Sequence, residues 1–288
     1  MTVSGVIDAH QHLWNLGRAR YEWLGPEQAP INRTIEWPEL RPRMRRTPIA
    51  RTVLVQAADN AEDTTYMFEV AQAHPEVAGV VAWVPLDRPK DAADQLQDLR
   101  GRPRFAGIRA LIHDQPDPDW LLRPDVARGL TLLEDAGVPF DVVAVLPRHL
   151  EHVTTLARRH PGLRMVIDHL AKPPIGGDGY PGGAARWREL ITRAAANPNV
   201  YAKVSGLYPL TGDQRAWGPA DLRPFVDHAF GVFGADRLMF GSDWPVSIHA
   251  GDYETVWTAL DTLFAELTPS ERAAVTHDTA IRCYDLTV

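Results

Sequence analysis

Arg164-Met165-Val166-Ile167-Asp168-His169 and Val200-Tyr201-Ala202-Lys203-Val204-Ser205 are two short runs rich in apolar and β-branched residues, and between them residues 187–196 repeat apolar side chains at helical spacing. A strand that reaches the next strand through a helix must run parallel to it. The same unit recurs in both directions along the chain. Strands are predicted at 6–12, 51–57, 77–84, 105–111, 139–145, 164–169, 200–205 and 237–242. Helical periodicity occupies 64–73, 91–99, 124–136, 150–159, 187–196 and 219–230. Eight strands alternating with helices in 288 residues predict a closed (β/α)8 TIM barrel, with one domain over 1–288. An open doubly wound sheet is the runner-up, and it lacks its usual mark: His10-Gln11-His12, not a Gly-x-Gly-x-x-Gly turn, ends the first strand. After the eighth strand, residues 253–267 are amphipathic and Thr268-Pro269-Ser270-Glu271 reads as the capped start of another helix.

Hydrophobic residues at 45% and charged residues at 23% exclude disordered, collagen-like and coiled-coil chains. With 30 Lys+Arg against 37 Asp+Glu the net charge is −7, so no global positive field draws the chain to nucleic acid or to anionic lipid. The single cysteine, Cys283, rules out an internal disulfide and is expected to be a small buried hydrophobe. Residues 1–7 lack the features of a secretory signal, and no run of 18 apolar residues occurs, so a cytoplasmic protein is expected, with no membrane partner. No feature of the sequence specifies an oligomeric state.

Alternate side chains of a barrel strand face the interior, and those at the C-terminal end reach the pocket. Asp8, His10 and His12 therefore share one face of the first strand. The sixth strand ends at Asp168-His169, and Asp243 follows the eighth, which closes beside the first. His10, His12, His169 and Asp243 match one divalent-metal site, with zinc or manganese suiting nitrogen and oxygen ligands. They equally suit a site where the metal is dispensable, Asp243 being the general base while imidazoles or an arginine polarise a carbonyl. Gln56, Arg109 and Asp141 at other strand ends, with His113 just beyond the fourth, are candidates to bind a small-molecule substrate. Trp14, Trp23 and Trp244 fall in or beside loops after strands and could stack on a sugar ring or lactone. The long connections 15–50 and 171–185 are candidate lids or pocket walls. Gly176-Gly177-Asp178-Gly179 has neither the spacing nor the lysine of a phosphate cradle and reads as a surface loop. Arg41, Arg43, Arg45 and Arg46 read as a solvated face.

Five stretches carry a resemblance. They are Ile7-Asp8-Ala9-His10-Gln11-His12-Leu13-Trp14, Phe105-Ala106-Gly107-Ile108-Arg109, Val166-Ile167-Asp168-His169-Leu170-Ala171-Lys172-Pro173, Val200-Tyr201-Ala202-Lys203-Val204-Ser205-Gly206-Leu207 and Arg237-Leu238-Met239-Phe240-Gly241-Ser242-Asp243-Trp244-Pro245-Val246. Together they resemble the amidohydrolase superfamily, in its amidohydrolase-2 branch, and most closely its sugar-lactonase subgroup. The resemblance implies a barrel with His10, His12, His169 and Asp243 around the reaction centre. Members with two metals usually carry Lys on the fourth strand and His on the fifth; here Arg109 and Asp141 stand there, which argues against a binuclear site.

The leading expectation is hydrolysis of a small sugar lactone by water that Asp243 deprotonates, with His169 beside it. The alternative is non-oxidative, metal-dependent decarboxylation of an aromatic or unsaturated acid on the same barrel. A barrel that only binds a ligand fits poorly, because ionisable side chains at several strand ends cost stability if unused.

Overall fold

The computed structural model describes residues 5–177, 179–209 and 213–288. Asp178 of the glycine-rich connection and the first four residues read for a signal lie outside them. The strands are β1 (Val6–Gln11), β2 (Ile49–Val55), β3 (Val77–Ala82), β4 (Phe105–Ala110), β5 (Phe140–Val142), β6 (Met165–Ile167), β7 (Val200–Val204) and β8 (Leu238–Phe240). All seven successive pairings are parallel, in the order β1 to β8. The ring closes just past β8, where Asp243 N donates to His10 O (2.9 Å) and His12 N to Trp244 O (2.7 Å). This is the expected (β/α)8 barrel.

The helices are α1 (Trp37–Met44), α2 (Ala61–Ala73), α3 (Pro89–Arg100), α4 (Pro124–Ala136), α5 (Pro147–Arg159), α6 (Gly183–Ala195), α7 (Pro219–Phe233), α8 (Tyr253–Phe264), α9 (Pro269–Ala273) and α10 (Thr279–Tyr284). Their ends follow local chemistry. Asn60 and Asp252 cap α2 and α8, Gly137 ends α4 at φ +66°, and Thr268 with Glu271 forms the expected reciprocal cap of α9. The connection 15–50 is not a plain loop, for it contains α1, which tolerates Pro38 because the first turn needs no donor there. The arginines on and after α1 meet Glu76, Glu39 and Glu254 at the surface.

Two apolar layers result. Side chains between sheet and helices form the larger one. The other lies inside the barrel, where Ile7, Ala9, Val53, Val55, Val81, Val166 and Met239 pack on Ala280, Cys283, Tyr284 and Leu286. The C-terminal segment thus plugs the barrel, and Cys283 is buried there with its thiol pushed up by burial. β5, β6 and β8 are shorter than the sequence predicts because the chain turns at once to build the pocket. No helix among the described residues is long and apolar enough to cross a membrane.

Candidate active site

Asp8 fixes the frame of the site. Its buried carboxylate accepts from Ser242 N (2.8 Å), His10 N (3.2 Å) and Tyr253 OH (3.0 Å), tying the end of β8 to β1. Gly241 permits that approach, since a Cβ there would sit 2.6 Å from the Cβ of His10. After β6 the chain takes four successive left-handed residues, His169 to Lys172, with φ between 49° and 59°. Such conformations cost about 1–2 kcal/mol each for side-chain-bearing residues, and they cluster where function over-determines them. Here they bring both His169 and Lys172 to Asp243, itself at φ +57°.

Three imidazole Nε2 atoms surround Asp243 Oδ1: His10 at 3.8 Å, His12 at 3.7 Å and His169 at 3.7 Å, with the His10 and His12 Nε2 atoms 3.0 Å apart. Ligands at about 2.1 Å from a tetrahedral ion lie about 3.4 Å from one another; His10, His12 and Asp243 are close enough together to hold a divalent ion, and His169 faces the same Asp243 oxygen as a fourth donor. The donor chemistry agrees. His12 Nδ1 must donate to Val55 O (2.7 Å), because a carbonyl only accepts, and its Nε2 therefore offers a lone pair to the centre. His169 Nδ1 pairs with Ser205 Oγ at 2.9 Å. Burial holds all three imidazoles below the usual histidine range, His169 to about 3, so neutral rings meet the centre at neutral pH.

Burial alone would raise Asp243, but its polar surroundings, Lys172 among them, outweigh it and hold the carboxyl well below the usual range. Its Oδ2 accepts from Tyr208 OH (3.1 Å) and faces Lys172 Nζ (3.7 Å). A cavity of about 270 Å3 opens above, lined by His12, His169, Asp243, Arg109, Lys172, His113, Trp23 and Gln28, with an apolar side of Ala57, Leu111, Val143, Val145 and Val246.

The structure brings together His10, His12, His169 and Asp243, and it places Arg109, His113 and Trp23 on the cavity wall. Four expected substrate-binding residues are elsewhere. Trp14 is fully buried under the 15–50 connection, its Nε1 donating to Arg33 O. Trp244 is fully buried where the barrel closes. Gln56 lies off the cavity lining, its Nε2 donating to Arg109 O and Asp59. Asp141 lies inside the barrel, between Lys203 Nζ (2.5 Å) and Tyr284 OH (2.8 Å). Position along a strand does not say what a side chain meets: packing claims the two indoles, and a lysine beneath the cavity claims the Asp141 carboxylate. Arg109 is more committed than expected: Nη1 pairs with Asp168 (3.0 Å) and Nη2 donates to Gln56 O (2.5 Å). Lys172, Tyr208 and Gln28 carry no recognisable spacing signal in the sequence, because a left-handed run and two loops deliver them.

The sequence pattern of the family described as Amidohydrolase matches residues 7–286. An L-fucono-1,5-lactonase of Burkholderia ambifaria is 39% identical over 252 residues, covering 86% of this chain and 83% of that protein. One from Burkholderia multivorans is 34% identical over 287 residues, covering 97% and 96%. The crystal structure of an amidohydrolase from Burkholderia multivorans with bound zinc is 33% identical, with a TM-score of 0.88 over 98% of this chain and 99% of that one.

Proposed function

Because this chain belongs to the amidohydrolase family, we propose that it is a hydrolase that opens a small sugar lactone to its hydroxy acid, on one domain spanning the chain. The observation that carries the reading is the Asp243 carboxyl facing three imidazoles at 3.7–3.8 Å, at the floor of a small cavity whose wall bears Arg109 and Lys172.

Water at the cavity floor gives its proton to Asp243 as its oxygen attacks the ring carbonyl. Tyr208 and Lys172 hold the other carboxylate oxygen, so the acceptor does not rotate away. Negative charge develops on the carbonyl oxygen beside Arg109 and Lys172, whose fixed charges need no reorganisation. Collapse of the tetrahedral adduct breaks the ring C–O bond. The leaving alkoxide then takes back the proton held by Asp243, which restores the carboxylate. His10, His12, His169 and Asp243 would hold one zinc or manganese ion, which when bound supplies Lewis-acid polarisation of the carbonyl. Trp23, whose Nε1 is anchored to Ala57 O (2.7 Å), and the valine side of the cavity shield the reaction from bulk water.

The test is acid release from a panel of aldonolactones, with L-fucono-1,5-lactone first, followed with a pH indicator before and after chelation. Acid release is expected. Carbon dioxide from aromatic acids, with no acid from any lactone, would establish the decarboxylase alternative instead.

A further inference from the structure

Beneath His10 lies a charged cluster that hydrolysis does not use. Lys203, Asp141 and Asp168 are fully inaccessible. Lys203 Nζ sits 2.5 Å from Asp141 Oδ2, 3.1 Å from Asp168 Oδ1 and 3.0 Å from His10 Nδ1. Asp168 Oδ1 is also 3.1 Å from that same His10 Nδ1, yet among the described residues it has no partner in hydrogen-bond geometry, while Oδ2 is held by Arg109. One ring nitrogen therefore faces a group that can only donate and a group that can only accept.

The two pairings exclude each other. If the Lys203 ammonium donates to Nδ1, the proton of the neutral His10 ring is on Nε2. That N–H points at His12 Nε2, 3.0 Å away, whose lone pair is free because His12 Nδ1–H is committed to Val55 O. Every donor from Lys203 through His10 and His12 to Val55 then meets an acceptor, and His10 cannot ligate a metal. If instead Nδ1 carries the proton and donates to Asp168 Oδ1, the orphaned oxygen is satisfied and Nε2 presents a lone pair to the centre.

We propose that Lys203 and Asp168 hold His10 in two alternative tautomers, one closed to metal and one open to it, so that Lys203 is a positioning residue that sets the affinity of the site for a divalent ion. The same ammonium occupies the space among His10, Asp141 and Asp168 where a second cation would otherwise be drawn, which keeps the site mononuclear. The inference rests on the four-ligand reading of the site but not on the identity of the lactone.

Zinc is the probe, and no substrate enters the test, so a failure here is separate from a failure of the lactonase reading. In chelator-treated full-length enzyme labelled with 15N-histidine, two-bond proton–nitrogen NMR reports the tautomer of each ring. The His10 signals are identified by their loss in His10→Gln. His10 is expected as Nε2–H before zinc and Nδ1–H after it. In competition with a chromophoric chelator, Lys203→Met is expected to bind zinc at least about tenfold more tightly, and Asp168→Asn about 10–100-fold more weakly, as for other partners of metal-ligating histidines. A His10 ring that keeps one tautomer throughout, wild-type enzyme that takes up no zinc, or unchanged zinc affinity in Lys203→Met would overturn the proposal. If Lys203→Met does not fold, the wild-type ring before zinc decides alone, because without a donor from Lys203 the Asp168 carboxylate would hold the metal-free ring as Nδ1–H.

Discussion

Gly206 follows β7 at φ +55°, and a Cβ built on it would lie 2.6 Å from His169 Nδ1 and 2.7 Å from Asp243 Oδ2. Ordinary contact requires about 3.4 Å, so Gly206→Ala must push one or both groups by about 0.8 Å. Neither yields easily, because His169 is held by Ser205 and Asp243 by Tyr208. Misplacement of a reacting group by about 1 Å costs about 100-fold in rate. The backbone adds its own penalty, about 1–2 kcal/mol for an alanine in the left-handed region, which lowers the melting temperature by a few degrees in a chain of this size. Gly137→Ala separates the two effects. That glycine has φ +66°, ends α4, and has none of the described residues within 4 Å of where its Cβ would stand. By calorimetry Gly206→Ala should lose at least as much thermal stability as Gly137→Ala, and only Gly206→Ala should lose about 100-fold in kcat/KM for lactone hydrolysis. Equal activity in the two variants, within about threefold, would refute the claim that the bare backbone at Gly206 positions the reacting groups.

Asp243→Asn is expected to lower kcat/KM by about 10²–10⁴-fold with the fold intact, as removal of a general base does; retention of more than about a tenth of the activity would remove Asp243 from that role. Arg109→Lys gives up the paired contacts to Asp168 and Gln56 O, so urea denaturation should show a loss of about 1–3 kcal/mol, and unchanged stability would contradict the structural part of its role. Asp63 is buried and its pKa is raised from 3.8 to about 6, mainly by burial. The folded state therefore keeps a proton that the unfolded state has released between those values, and the stability this group contributes is full below pH 3.8 and lost as pH rises through 6. Relative to Asp63→Asn, the wild type should lose about 2 kcal/mol between pH 4 and pH 7, and a pH-independent difference in chemical denaturation would show that the carboxyl is ionised throughout.

The barrel was legible because its signals are local. Each strand announces itself by a short apolar run and each helix by its period, as at 164–169, 187–196 and 200–205, and parallel order then follows from the helical crossovers. His10 and His12 were legible for the same reason, since alternation along one strand places both on one face. Asp243 was reached through topology, because the eighth strand of a closed barrel must return to the first. What the sequence could not state is which polar group at a strand end faces the cavity and which is consumed beneath it. Asp141 and Lys203 satisfy each other inside the barrel, Trp14 and Trp244 disappear under loops, and Lys172 reaches Asp243 through four left-handed residues that no propensity favours. The physical reason is one of scale. Strand and helix arise from interactions within a few residues, whereas the pairing of a buried charge depends on atoms brought within about 3 Å by segments far apart in the chain, and only the folded barrel fixes those distances.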